Sequence, residues 1–282
     1  MQPPSNWPIL IALIHCNMAE AAADKVGLTG VARDSFMEVY AALGPRGAKS
    51  YEQYLAKVRS KAEVVAKITE LGLPTSGNEC DRLVFCGRYA AKAGTPLEEA
   101  LETAMAGISA AAELKAALGE SNQLSFALSA GRWGEEHKAA RAAAFPYSPS
   151  VSATHGSDVI EARTTAAVMG TSVQPGQLLG YVAMQSGGYV DDIAVFPAFQ
   201  GHGVASALIA GAASVERGSS MSLDVRAANV PAIKLYTRLG FRFGQLQHPS
   251  FLDWDGGFEG EADVSTVRRC LPSNADLSAL LQ

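Results

Sequence analysis

Apolar residues follow two regimes along this chain. In Tyr51-Tyr54-Leu55-Val58-Ala62-Val65-Ile68-Leu71 they recur every three or four positions, the spacing that gathers them on one helical face. Ala-rich helical patterns of this kind, Thr29–Leu43, Ser50–Leu71, Asp81–Ala93 and Thr95–Leu118, alternate with Gly/Pro breaks. Thr95-Pro96-Leu97-Glu98 predicts a helix start, with a Thr cap, Pro at the first helical position and Glu three residues on. A helical domain over residues 1–120 is the reading, as a packing or partner-binding module. A degenerate copy of the second domain competes with it, but few β-branched alternations are present to supply its strands.

Beyond residue 120 the runs become short and strand-like. Leu124–Ser129 predicts an opening strand, Glu135–Phe145 a helix, and Pro146–Asp158 a loop rich in Pro, Ser and Gly. Glu161–Val173 and Gln177–Gln185 predict a hairpin around Gln174-Pro175-Gly176-Gln177. There follow a strand at Tyr189–Val195, a helix at Gly203–Glu216, a strand at Met221–Val225 and a helix at Val230–Leu239. Strands at Phe241–Gln247 and Ala262–Leu271 close a second domain spanning 121–275.

Composition narrows the class. The chain has 282 residues, 48% of them hydrophobic and 18% charged, as in a soluble globular protein. A net charge of −5 argues against broad attraction to nucleic acid. The four cysteines are too scattered for a disulfide framework, and Cys80 and Cys86 lack a second pair at zinc-ligand spacing, so no metal is expected. The run Ile9–Ile14 is too short to span a bilayer and no membrane association is expected. A reduced, cytoplasmic setting follows, with organelle import left open.

The most specific stretch joins the strand Tyr189–Val195 to the helix after it. Gln200-x-x-Gly203-x-Ala205 occupies the turn, and the helix that follows is apolar. Glycine lets backbone approach a bulky ligand, and the unbonded N–H groups at a helix start suit an anion. Gly201-x-Gly203 lacks the third glycine of a dinucleotide turn, and no Lys-Ser/Thr pair follows as in a triphosphate loop. A cradle for a phosphorylated cofactor remains.

Downstream, Leu223-Asp224-Val225-Arg226-x-x-Asn229 leads into Ala232-Ile233-x-Leu235-Tyr236-x-x-Leu239-Gly240-Phe241. Asn229 is placed as an N-cap, Pro231 lies in the first turn and Gly240 ends the helix. Together these two motifs resemble those of the GNAT acyltransferase superfamily over roughly residues 160–271. Within it the chain is most similar to enzymes that acetylate protein N-termini, such as the ribosomal-protein alanine acetyltransferases. The resemblance implies an α/β (α+β) fold with a mixed central sheet whose fourth and fifth strands splay apart. It implies acetyl-CoA as co-substrate and an amine as acceptor.

It also implies roles for particular residues. The N–H groups of Gln200, Gly201, His202, Gly203, Val204 and Ala205 would hold the diphosphate. Ile193 and Val195 would bond the pantetheine arm through exposed strand backbone, and the N–H of Ile193 or Ala194 would polarise the thioester oxygen. Asn229 resembles a pantetheine contact, and Tyr236 resembles the tyrosine that protonates the leaving sulfur. For the general base Asp224 occupies the place of the family's glutamate, one methylene shorter, which favours a bridging water. Asp192 and Asp191 are rivals, on opposite faces of a regular strand.

The proton balance bears on the acceptor. An α-amine of pKa about 8 is partly neutral at physiological pH, whereas a lysine near 10.4 must be brought down by about 3 units, roughly 4 kcal/mol. A peptide N-terminus is therefore favoured. A small amine (polyamine, amino acid or aminoglycoside) is the first alternative, and a non-catalytic acyl-CoA sensor the second. The segment 248–261 interleaves four carboxylates with Phe251, Trp254 and Phe258, which reads either as the wall of a cationic acceptor site or as a solvated turn.

Overall fold

The computed structural model describes residues 59–93, 95–119, 123–146, 157–226, 228–247 and 257–281. The expectations at Ile9–Ile14, Thr29–Leu43 and residues 248–256 lie outside them. By compactness the chain forms two units. The first takes residues 59–88, 225–238 and 242–260 so far as these are described, and the second takes 89–224, 239–241 and 261–282 on the same terms.

In the first unit α1 (Arg59–Glu70) and the bulk of α2 (Gly77–Ala93) precede α6 (Val230–Arg238) in sequence. α1 buries Val64 and Ile68 and half-buries Val65, so its inward face is turned slightly from the stripe read in the sequence. α2 buries Leu83, Val84 and Phe85. Its Asp81 carboxylate is buried and accepts from Lys234 Nζ of α6 at 2.9 Å. Removing one partner of such a pair leaves the other's charge desolvated, a cost of about 3–5 kcal/mol. Burial pushes the Cys86 thiol up to about 11, so it stays protonated and unreactive at neutral pH. β6 (Arg242–Gln247) neighbours β7 (Gly257–Asp263), where Phe243 and Phe258 meet edge to face at 6.3 Å.

The second unit is built on strands in the order β5-β4-β3-β2-β1-β8, namely β5 (Ser220–Arg226), β4 (Tyr189–Val195), β3 (Leu178–Gln185), β2 (Asp158–Thr164), β1 (Phe126–Gly131) and β8 (Ala275–Asp276). β1 to β4 pair antiparallel, β4 with β5 and β1 with β8 parallel, so the sheet is mixed. β3 is buried at every position but Gln185 because helices cover both of its faces. α4 (Glu135–Ala144) packs on the face carrying Tyr181, Ala183 and Ala194. α5 (Val204–Val215) packs on the other, and there Gly211 lets its backbone close on Leu128. Arg268 of α7 (Val264–Arg268) donates through Nη2 to the Ala213 carbonyl at 2.8 Å, satisfying the last turn of α5.

Several boundaries differ from expectation. The hairpin's first strand is Asp158–Thr164, and residues 165–177 form its connection. Thr164 Oγ1 donates to the Gln174 carbonyl and accepts from the Gln177 N–H at 3.1 Å, closing the loop around Pro175. The last large strand is Gly257–Asp263 rather than Ala262–Leu271, and Val264–Arg268 is helical. Phe258 is therefore fully buried core and not part of an acceptor wall. α3 (Leu97–Leu118) starts after Pro96, whose backbone is extended, and no side-chain cap from Thr95 closes it.

Gly180 shows why β3 lies so close to β4. A Cβ there would fall 2.5 Å from the Ala194 carbonyl oxygen and 2.9 Å from Val195 Cα. Gly180→Ala is expected to destabilise the protein by about 1–3 kcal/mol through overpacking. Thermal unfolding measures this, and a Tm equal to the wild type would show that the strands give way freely.

Candidate active site

β4 and β5 pair at two rungs only, Tyr189–Ser222 and Val190–Leu223, after which the parallel ladder stops. On its other side β4 stays registered with β3 through Val195–Gly180. The Phe196 N–H donates to the Leu179 carbonyl at 3.0 Å. Antiparallel pairing alternates with period two, so Ala194 and Asp192 also direct their N–H groups toward β3. Ile193 and Val195 direct theirs away from it, to the edge that β5 has left. The sequence reading is corrected at Ala194, whose N–H belongs to the β3 ladder and is not offered to a thioester. The Val195 carbonyl on the outer edge accepts from Gln200 Nε2 at 3.1 Å, tying the strand end to the loop.

Past Val195 the chain makes a 3-10 turn, Pro197–Phe199, and the Gln200 N–H donates to the Pro197 carbonyl at 3.2 Å. Gln200 thus spends its N–H within the turn, a second correction to the predicted diphosphate donors. Gly201 (φ 86°) and Gly203 (φ 82°) both occupy the left-handed region. Such alternation curls successive N–H groups to one side, forming a nest that suits anions. Gly203 is the N-cap of α5, and the first bond closing the helix runs from the Ala207 N–H to the Gly203 carbonyl at 3.0 Å. The N–H groups of Val204 and Ala205 therefore precede the intrahelical ladder. The first turn of α5 holds no acidic residue. Main-chain donors and the positive helix end fit the diphosphate of coenzyme A, and Pro272 flanks Gly203, its Cγ 3.8 Å from where a Cβ would stand.

The carboxylate candidates stand in different surroundings. Asp224 follows the last β4–β5 rung, is half-buried, and accepts from the Tyr189 hydroxyl at 2.9 Å. Asp192 accepts from the Tyr181 hydroxyl at 2.5 Å and pairs with Arg141 Nε at 3.1 Å, its side chain 11% exposed. Burial and that carboxylate push the Tyr181 phenol far above its ordinary range, so it remains a donor. Asp191 falls where the β3–β4 register shifts and accepts from Ser157 Oγ at 3.1 Å and Gln185 Nε2 at 3.0 Å. A bulge, which the strict alternation read from the sequence does not anticipate, sets its direction.

Beside Asp192 lies a polar group that sequence reasoning missed. His137 Nδ1 accepts from the Gly134 N–H at 3.0 Å, which leaves the proton of the neutral ring on Nε2, facing Glu161 Oε1 at 3.0 Å. Arg163 joins Glu161 (2.6 Å) to Glu136 (2.7 Å). Trp133 stacks on His137 and meets Tyr181 edge-on at 5.1 Å. A Cβ at Gly131 would fall 2.2 Å from Glu161 Oε1, so that glycine makes room for the carboxylate. No motif spacing in the sequence announces this cluster.

In the first unit Asn229 Oδ1 accepts from the Ala232 N–H at 3.3 Å, the N-cap bond expected for α6. Tyr236 lies on the same helix and is 5% exposed. Gly240, at φ 96°, follows the helix end, and a Cβ would meet Thr266 Cγ2 at 2.6 Å. Among the described residues no group of His, Cys, Asp and Glu could hold a metal ion, and no helix is long and apolar enough to cross a membrane.

Residues 139–241, which include the β4 turn, α5, Asp224 and α6, match the Acetyltransferase (GNAT) family. The match spans a little over a third of the chain, and over that segment the protein is similar to this acetyltransferase family. Nourseothricin acetyltransferase is similar at 26% identity over 39% of this chain and 66% of its own, just under two thirds of its length, with a TM-score of 0.32. The ribosomal-protein alanine N-acetyltransferase from Escherichia coli is 20% identical over 49% of this chain and 94% of its own (TM-score 0.37). Spermidine N-acetyltransferase from Vibrio cholerae is 14% identical over 50% of this chain and 95% of its own (TM-score 0.39). No curated protein matches the chain.

Proposed function

We propose that the protein transfers the acetyl group of acetyl-CoA to a free α-amine, a peptide N-terminus in the first instance, by direct attack in a ternary complex. The observation that carries this reading is the end of β4–β5 pairing after Leu223, with Asp224 as the next residue. The Ile193 and Val195 N–H groups face the vacated edge and suit the amides of a pantetheine arm, while the Gly201–Ala205 nest suits the diphosphate. Ile193 then donates to the oxyanion as the amine's C–N bond forms. Asp224, through a water, receives the proton the nitrogen sheds; the motif resemblance, rather than any measured proximity, assigns Tyr236 the proton given to sulfur as the C–S bond breaks. Products are an amide and a neutral thiol.

Asp224 is preferred to Asp192 on geometry. Asp192 would have to give up contacts with a phenol and a guanidinium to take a proton, whereas Asp224 lies where the strands part. A weakly placed base is adequate for an α-amine and inadequate for lysine, by the roughly 4 kcal/mol noted above. Free-thiol release from acetyl-CoA across peptide N-termini, lysine side chains and small amines tests the reading. Turnover on α-amino peptides, reduced at least tenfold by Asp224→Asn, is the expected result. Turnover on polyamines or aminoglycosides alone would overturn the acceptor assignment. Saturable CoA binding without turnover on any amine would instead identify a sensor.

A further inference from the structure

We propose that α3, which precedes the family-matched segment, sets the aim of the diphosphate nest, with Gly107 and His202 as positioning residues. The inference rests on the coenzyme A reading of that nest. Gly107 sits mid-way in a 22-residue helix, where glycine is unfavourable relative to alanine. Its neighbour accounts for it: a Cβ on Gly107 would lie 2.6 Å from Pro197 Cβ and 3.5 Å from Pro197 Cγ. Pro197 opens the 3-10 turn that feeds Gln200 and Gly201. One helical turn further on, the Ala111 carbonyl accepts from His202 Nε2 at 3.3 Å. α3 thus holds the loop at two points, ahead of the nest and within it.

The need for such a hold follows from the loop's chemistry. Two glycines at positive φ make the nest possible and also make it soft, since glycine loses more freedom on ordering than any other residue. Convergent N–H donors bind well only when their geometry is set before the ligand arrives. His202 therefore has two parts to play. Its main chain belongs to the nest, and its ring fastens the nest to α3.

The test uses the full chain with His202→Ala, Gly107→Ala and, as control, Glu113→Ala on the exposed face of α3. CoA affinity is measured by calorimetry, and KM and kcat with two donors. One donor is acetyl-CoA; the other is S-acetylpantetheine, which has the same thioester and no diphosphate. Both positioning variants are expected to lose fivefold to tenfold in CoA affinity and in KM for acetyl-CoA, the loss falling on KM rather than kcat. S-acetylpantetheine kinetics and Glu113→Ala should match the wild type. Equal losses with both donors, or CoA affinity within twofold of the wild type, would overturn the proposal. If Gly107→Ala folds poorly, His202→Ala decides, because its ring is half-exposed. A wild-type protein that takes up no CoA would overturn the nest reading as well, whereas wild-type uptake with insensitive variants overturns the α3 role alone.

Discussion

Gly203→Val is expected to weaken coenzyme A binding about a hundredfold while the protein still folds. At φ 82° a β-carbon strains the N-cap of α5, and left-handed backbone costs an L-residue roughly 1–2 kcal/mol. Relief comes by rotating the turn toward ordinary angles, which turns the N–H groups of Val204 and Ala205 away from one another. The helix end then forfeits about 0.3–2 kcal/mol per charge it faced. A total near 3 kcal/mol corresponds to about two decades in Kd. Titration calorimetry with CoA, alongside a melting curve, measures both parts. Affinity within threefold of the wild type would remove the diphosphate from this turn and, with it, the functional reading.

Tyr236→Phe is the second large effect, on turnover rather than binding. The substitution keeps the ring that α6 buries and deletes only the hydroxyl. Thiolate expulsion then lacks its proton donor, and general acid catalysis is typically worth about 10²–10⁴ in rate. Water can substitute in part, so kcat should fall at least tenfold with CoA affinity within twofold. The defect should shrink with an acetyl thioester of a more acidic thiol, which leaves readily without protonation. An undiminished kcat would reduce Tyr236 to a packed aromatic of α6.

Where sequence and structure agree, the physics is local. Tyr189–Val195 agrees with expectation to the residue because a short apolar run ends there, just ahead of Pro197 and a pair of glycines. The Asn229 cap and the Gly240 stop likewise depend on neighbours within four residues. Disagreement marks contacts made at a distance in sequence. The Ala194 N–H is taken by strand β3, and Asp191 is turned by a bulge that only the partner strand's register reveals. Glu161 and His137 form a buried pair from elements 24 positions apart, with no spacing rule to announce them. The helical pattern of residues 95–118 was apparent, yet nothing in it told that Gly107 makes room for Pro197.

Lys234 carries a practical consequence for anyone trimming the gene. Its ammonium is 13% exposed and set against Asp81, far ahead of the stretch that family resemblance would tempt one to express by itself. A polypeptide begun at residue 121 would keep the cation and discard the anion. Loss of that buried contact would weaken the very helix that bears Tyr236. Inactivity of such a fragment would then reflect a broken scaffold and say little about the chemistry of the intact protein.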